Sequence, residues 1–294
     1  MKRPWLVYGL AFLGGLVLFL ILLTFIFALL ASYKHFALGK PKIGVLEIKG
    51  IILDADEYLS AIREFRTRRD VKAVLVRVES PGGAIGPTQE VFEELKKLRK
   101  EKPVYVSMGG VSASGGYYVS LAGEKIFANP GTITGSIGVV IELPNLEKLF
   151  EKLGIKSETI KSGEFKDTGS IYRGLTKEER EYLKAKVNQL HEQFVRVVAE
   201  ERKLPLDKVR SLADGRIYTG EEAKALKLID ELGNYYTALE ELKKRANLKE
   251  VEILVLPRKK GLLERFFEGK TCFSVEELLQ SLYFQPFYLI KLNL

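Results

Sequence analysis

Histidine is nearly missing from this sequence: of 294 residues only His35 and His191 are histidine. Cysteine is scarcer, with Cys272 alone. A single cysteine excludes a disulfide framework within the chain and any multi-cysteine metal site. No cluster of His, Cys and carboxylates has metal-ligand spacing, so no metal and no other cofactor is expected. The shortage of histidine also bears on catalysis, because histidine is the usual base for a serine nucleophile. His35 closely follows a long apolar run, and His191 lies inside a long helical stretch. Neither is poised to serve.

Charge is absent from residues 4–33. The run from Trp5 to Ala31 is dominated by Leu, Phe, Ile and Val and is long enough to span a bilayer as a helix. It exceeds the roughly 7–15-residue apolar core of a cleaved signal, so a retained membrane anchor is expected over residues 1–35. Lys2 and Arg3 precede the run, and Lys34, Lys40 and Lys42 follow it, so flanking charge does not orient it. The whole chain carries a formal charge of +8. Its basic residues share helical stretches with acidic ones and are not interleaved with aromatics. A solvated Lys/Glu-rich surface accounts for that pattern better than a nucleic-acid partner.

Beyond the anchor the chain alternates apolar strands, Gly-rich turns and amphipathic helices. Strands are expected over 43–52, 71–78, 125–128, 135–141, 155–160 and 251–256, with another opening at Val104. Helices are expected near 55–69, 87–102, 145–153, 176–203 and 235–247, with another beginning at 218–223. Thr176 and Glu179 have capping-box spacing. Val71–Val78 is nearly continuous in apolar residues, as a strand buried on both faces would be. Glu79-Ser80-Pro81-Gly82-Gly83 reads as a turn. The rhythm indicates an α/β core of repeated ββα or βα units. It spans residues 36–257, and a compositionally distinct appendage follows over 258–294.

One stretch concentrates chemistry: Val104 to Tyr118, an apolar strand that enters a turn of small residues and leaves as a helix. A serine there presents its hydroxyl beside the free N–H groups and positive dipole of a helix start. Ser114 is the candidate nucleophile, and Ser112, two residues earlier, is an equal alternative on sequence grounds. A serine needs a base. Without a poised histidine, the remaining choice is a lysine, which acts only as the neutral amine. Its pKa must then fall from about 10.4 toward neutrality, which asks about 4 kcal/mol of desolvation and neighbouring charge. Lys166, in the polar loop Ser162–Ser170, has suitable surroundings, but spacing alone does not single it out among the lysines.

Four segments are familiar together: 106–120 (VSMGGVSASGGYYVS), 129–139 (NPGTITGSIGV), 162–170 (SGEFKDTGS) and 214–233 (DGRIYTGEEAKALKLIDELG). They resemble the short form of the signal peptide peptidase A family, membrane-anchored serine–lysine endopeptidases with a Clp-protease/crotonase-like fold. The resemblance covers about residues 43–257, and the anchor matches as well. It implies Ser114 as nucleophile, Lys166 as general base, Ser136 as the residue orienting the lysine amine, and the Gly83 and Gly115 N–H groups as the oxyanion hole. It further implies apolar peptide substrates such as signal-peptide remnants. The enzyme would sit in the cytoplasmic membrane with its catalytic domain outside the cytoplasm, as a homo-oligomeric ring in which a neighbour supplies the base. The 258–294 appendage would lie near the inner surface of that ring and engage the sites. Rival readings are a stomatin-associated membrane Ser/Lys protease, a crotonase-type acyl-CoA enzyme and a non-catalytic scaffold.

Overall fold

The computed structural model describes residues 13–28, 40–257 and 287–289. Residues 13–28 form α1, uncharged and exposed along its whole length. Among the described residues no helix is long and apolar enough to cross a membrane. The expected anchor extends past both ends of α1, and His35, Cys272 and most of the 258–294 appendage also lie outside the described residues.

The core is a mixed sheet. Its central strands β1 (Lys42–Ile52), β2 (Val71–Ala84) and β3 (Val104–Ala113) pair in parallel. The main path runs β6-β5-β3-β2-β1-β8, with β8 (Glu252–Leu256) parallel at one edge. At the other, β5 (Ile133–Gly135) lies parallel to β3 and antiparallel to β6 (Ile217–Thr219). β4 (Lys125–Ala128) also pairs with β3 and carries the two-residue β7 (Glu231–Leu232).

Helices cover both faces. On one, α2 (Asp56–Thr67), α3 (Ile85–Arg99), α4 (Gly115–Ser120) and α6 (Lys177–Arg202) join a large apolar cluster with the sheet. On the other, Ala238, Leu239 and Leu242 of α9 (Tyr235–Arg245) pack on Ile43, Val45, Ala73 and Leu75. That double coverage is why β2 reads as a continuous apolar run. Val91, Phe92, Leu95 and Leu98 fix α3 against the sheet, each buried side chain contributing about 1.5–3 kcal/mol of transfer free energy. α5 (Glu147–Lys152), α7 (Leu206–Leu212) and α8 (Gly220–Ala225) complete the helices of this region. This mixed α/β sheet fits the Clp-protease-like core implied by the resemblance.

Three sequence expectations need correction. β2 does not stop at Val78 but continues as an irregular strand through the expected turn to Ala84, bulging against both neighbours. The strand expected at 135–141 ends at Gly135, because Gly135 and Ser136 both adopt positive φ, +76° and +47°, and turn the chain away. Residues 155–160 form no strand; all are exposed, and no strand among the described residues pairs with them. They belong to an excursion, residues 138–178, that contains no buried residue.

Candidate active site

Ser114 sits where β3 ends and α4 begins, with φ +52° and ψ −115°. A non-glycine residue held there costs about 1–3 kcal/mol, so its surroundings must over-determine it. They do so from both sides. Its N–H donates to the Gly135 carbonyl at 2.8 Å, and its carbonyl accepts from the Tyr118 N–H at 2.8 Å. Tyr117 is fully buried and donates its hydroxyl to the Leu228 carbonyl at 2.9 Å. The Tyr118 ring packs edge-on against Phe92 and Phe194. The result is a serine 1% exposed whose Oγ makes no hydrogen bond to any described residue.

Ser112 is placed differently. Its Oγ lies 3.0 Å from Ser120 Oγ, and Ser120 in turn donates to the Gly116 carbonyl at 2.8 Å. The Ser112 carbonyl accepts from Thr134 Oγ1 at 2.6 Å. Ser112 is thus tied into the strand-to-helix junction, whereas the Ser114 hydroxyl is left unengaged.

The two glycines after Ser114 let β2 approach. A β-carbon on Gly115 would lie 3.1 Å from the Gly83 nitrogen and 3.0 Å from Thr88 Oγ1, and one on Gly116 would lie 2.6 Å from the Ser80 carbonyl oxygen. Gly83 has no more room, since a β-carbon there would collide with the Ile52 backbone. Gly83 and Gly115, distant in sequence, are thereby brought into close contact. Ser136 follows the residue that accepts the Ser114 N–H; it is 7% exposed and donates its own N–H to the Arg216 carbonyl at 2.8 Å.

Lys166 is not part of this assembly. It is exposed, on the loop of the 138–178 excursion, with its N–H donating to the Gly163 carbonyl at 3.1 Å. No hydrogen bond joins it to Ser114 or Ser136 within the described chain. The loop itself is held by charge. Asp167 meets Lys161 Nζ at 2.6 Å and the Arg173 guanidinium at 2.9 Å. Arg173 also grips Glu179 bidentately, at 2.8 and 2.6 Å. Glu179 further accepts from Thr168 Oγ1 at 3.1 Å and from the Thr176 N–H at 2.9 Å, closing the α6 capping box. Arg173 above all, then the Thr176 N–H and the Thr168 hydroxyl, hold the Glu179 carboxyl down at about 2 against the opposing effect of burial. Arg173 and then Lys161 keep Asp167 far below the usual carboxylate range.

The C-terminal segment returns to the same place. β9 (Phe287–Leu289) pairs antiparallel with Gly82–Ala84, setting Tyr288 opposite Gly83.

Comparison with known proteins decides the family. Residues 96–249 match the model of peptidase family S49. The chain is 41% identical over 211 residues to a protein of Methanocaldococcus jannaschii named as a protease, covering 71% of this chain and 68% of that one. It is 37% identical over 230 residues to an Enterococcus faecium protein named as signal peptide peptidase SppA, covering 74% and 67%. It is also 36% identical over 230 residues to the chloroplastic serine protease SPPA of Arabidopsis thaliana, covering 77% and 34%. The chain belongs to peptidase family S49.

It is accordingly a protease, and the resemblance to signal peptide peptidase A stands. Ser114, Ser136 and Lys166 fall inside the S49 match, while Gly83 lies before it. Several residues that shape the S49 site escaped sequence reading. Glu79 accepts the Gly110 and Val111 N–H groups at 2.9 and 3.0 Å, and Thr132 Oγ1 donates to the Gly109 carbonyl at 2.7 Å. Both steady the approach to Ser114. Arg173 was missed as well; the capping-box spacing of Thr176 and Glu179 was the one signal nearby.

Proposed function

We propose that this protease is a membrane-anchored serine endopeptidase in which Ser114 is the nucleophile and Lys166 the general base. The observation that carries the reading is Ser114 itself: a strained serine at a helix start, its hydroxyl without a partner among the described residues, followed by Gly115, against which Gly83 packs. Ser114 Oγ attacks the scissile carbonyl while the neutral Lys166 amine takes its proton. The oxyanion is stabilised by the Gly83 and Gly115 N–H groups, and the protonated lysine then delivers its proton to the departing amine. Water repeats the cycle on the acyl-enzyme. Ser136 orients the lysine amine.

The base comes from a neighbouring copy in this reading. Two observations support it: Ser114 Oγ has no partner among the described residues, and Lys166 rides on an excursion whose Leu149, Leu153, Ile155 and Ile160 are exposed. Apolar side chains left out in this way mark an association surface. A ring of copies would cover them and complete each site.

The uncharged run around α1 serves as a single-pass anchor in the cytoplasmic membrane, with the catalytic domain on its outer side. Substrates are then apolar peptides such as signal-peptide remnants, the activity that the Enterococcus relative's name describes. They would add as a strand along Gly82–Ala84, where β9 pairs now. The test is peptidase activity of the full chain as wild type, Ser114→Ala and Lys166→Ala. Both variants are expected to be inactive, and undiminished activity in either removes the corresponding role.

A further inference from the structure

The amide of Gly83 can act on a developing oxyanion only if the chain from Ser80 to Gly83 keeps one conformation. That segment is paired irregularly: Ser80 lies opposite Ser112, and Gly82 and Gly83 lie opposite Ile51 and Ile52 on one side and Leu289 and Tyr288 on the other. The register of β2 against β3 shifts between Val78 and Ser80, and against β1 it shifts between Lys49 and Ile51. Gly82 takes φ +117°, a conformation that side-chain-bearing residues rarely adopt. The ladder therefore shifts register on both sides of β2 just before the amide that has to be aimed.

One side chain spans the shift. Ser80 is fully buried. Its Oγ donates to the Gly50 carbonyl at 2.6 Å and accepts the Gly82 N–H at 3.1 Å. The single hydroxyl thus ties β1 to the turn, with its one proton on Gly50 and a lone pair facing Gly82. The Ser80 carbonyl oxygen lies directly over Gly116, and Gly83 over Gly115, so the same short segment rests on the helix start that carries Ser114.

We infer that Ser80 is a positioning residue for the oxyanion hole: its hydroxyl fixes the Gly82 turn and so aims the Gly83 N–H. It touches neither substrate nor Ser114. The inference rests on the serine-peptidase reading and adds to it a residue with no role in proton transfer. Without the hydroxyl, Gly82 loses the partner that orients its peptide, and the neighbouring amide loses its aim. Binding of the substrate ground state draws little on that amide. Stabilisation of the tetrahedral state draws on it fully.

The test is steady-state kinetics of the full-length wild type, Ser80→Ala and Ser114→Ala, together with inhibition by a peptide aldehyde, whose adduct with serine carries the oxyanion. In Ser80→Ala, kcat should fall about 10- to 100-fold with KM within about twofold, and the aldehyde should weaken by the same factor as kcat/KM. Wild-type kcat and aldehyde affinity in a folded Ser80→Ala protein would overturn the inference, and so would a loss confined to KM. Should Ser80→Ala fail to fold, Ser80→Cys carries the same readouts: its thiol is a weaker donor and acceptor. A kcat at least about fivefold below wild type, with matching aldehyde loss, supports the inference, and wild-type values overturn it. Ser114→Ala separates the two claims. If it stays active, the underlying reading fails. If it is dead while Ser80→Ala behaves as wild type, only the role of Ser80 fails.

Discussion

The backbone N–H of Ser114 donates to the carbonyl of Gly135 across 2.8 Å, so the residue leaving β3 is fastened to the last residue of β5. Ser136 follows directly, also at positive φ. Two serines at positive φ are thus each held by a main-chain bond, Ser114 to Gly135 and Ser136 to Arg216, independent of what their hydroxyls do. Substitutions of either hydroxyl should leave the local backbone in place, which makes this site suited to kinetic dissection.

The Gly83–Gly115 contact gives a first expectation. In Gly115→Ala the new methyl would sit 3.1 Å from the Gly83 nitrogen and 3.0 Å from Thr88 Oγ1, so one of these neighbours must yield. Displacing an oxyanion donor typically costs about 10²–10³ in kcat. That loss should appear with KM little changed, and circular dichroism should report an intact fold.

Separation of Lys166 from Ser114 gives a second. Chains carrying Ser114→Ala and chains carrying Lys166→Ala should each be inactive alone. Co-assembled, they should regain part of wild-type activity, because one chain retains the serine and the other the lysine. A mixture that stays inactive after co-refolding would show that each site draws both residues from one chain.

The loop carrying Lys166 should respond to acid. The folded-state pKa of Glu179 is lowered to about 2, and that of Asp167 is lowered as well, chiefly by Arg173. Depressed carboxyls add stability that is complete above their unfolded values, about 4, and that is lost as pH falls through the folded ones. Protection of residues 161–179 from limited proteolysis should therefore decline between about pH 4 and pH 2. Arg173→Ala should show the effect already at neutral pH. It strands Glu179, whose side chain is 2% exposed, though Arg173 itself is 29% exposed. We expect about 2 kcal/mol lost in urea unfolding, below the range for fully buried pairs because of that exposure.

The pairing of β9 with Gly82–Ala84 supplies a fourth expectation. A strand seated beside Gly83 occupies backbone that an extended substrate needs. Removal of residues 286–294 should lower KM for a peptide substrate and leave kcat nearly unchanged. An unchanged KM would show that this strand does not compete.

Much of this was legible in the residues. The continuous apolar character of Val71–Val78 marked a strand covered on both faces, and the Thr176/Glu179 spacing marked the start of α6. The small residues around Ser114 marked the junction. The choice between Ser112 and Ser114 was not legible, because both lie in one run of small residues. Only the fold shows one hydroxyl tied to Ser120 and the other unengaged. The strand expected at 155–160 failed for a related reason: its β-branched ends suit a strand, but a strand also needs a neighbour, and that depends on the rest of the chain. Lys166 looked like any other loop lysine, and Ser80 like an ordinary turn serine. The place of Ser80 lies in contacts with Gly50 and Gly82 that only the fold brings together.

The unburied excursion at 138–178 divides the site into unequal parts. Ser114, Gly115 and Gly83 belong to the core, where opening requires the sheet to come apart. Lys166 belongs to a segment secured mainly by ion pairs, and such segments open at far lower free energy. Amide hydrogen exchange should find the two parts orders of magnitude apart. Warming would then silence the protease while its sheet is still intact, and cooling would restore it without any refolding of the core.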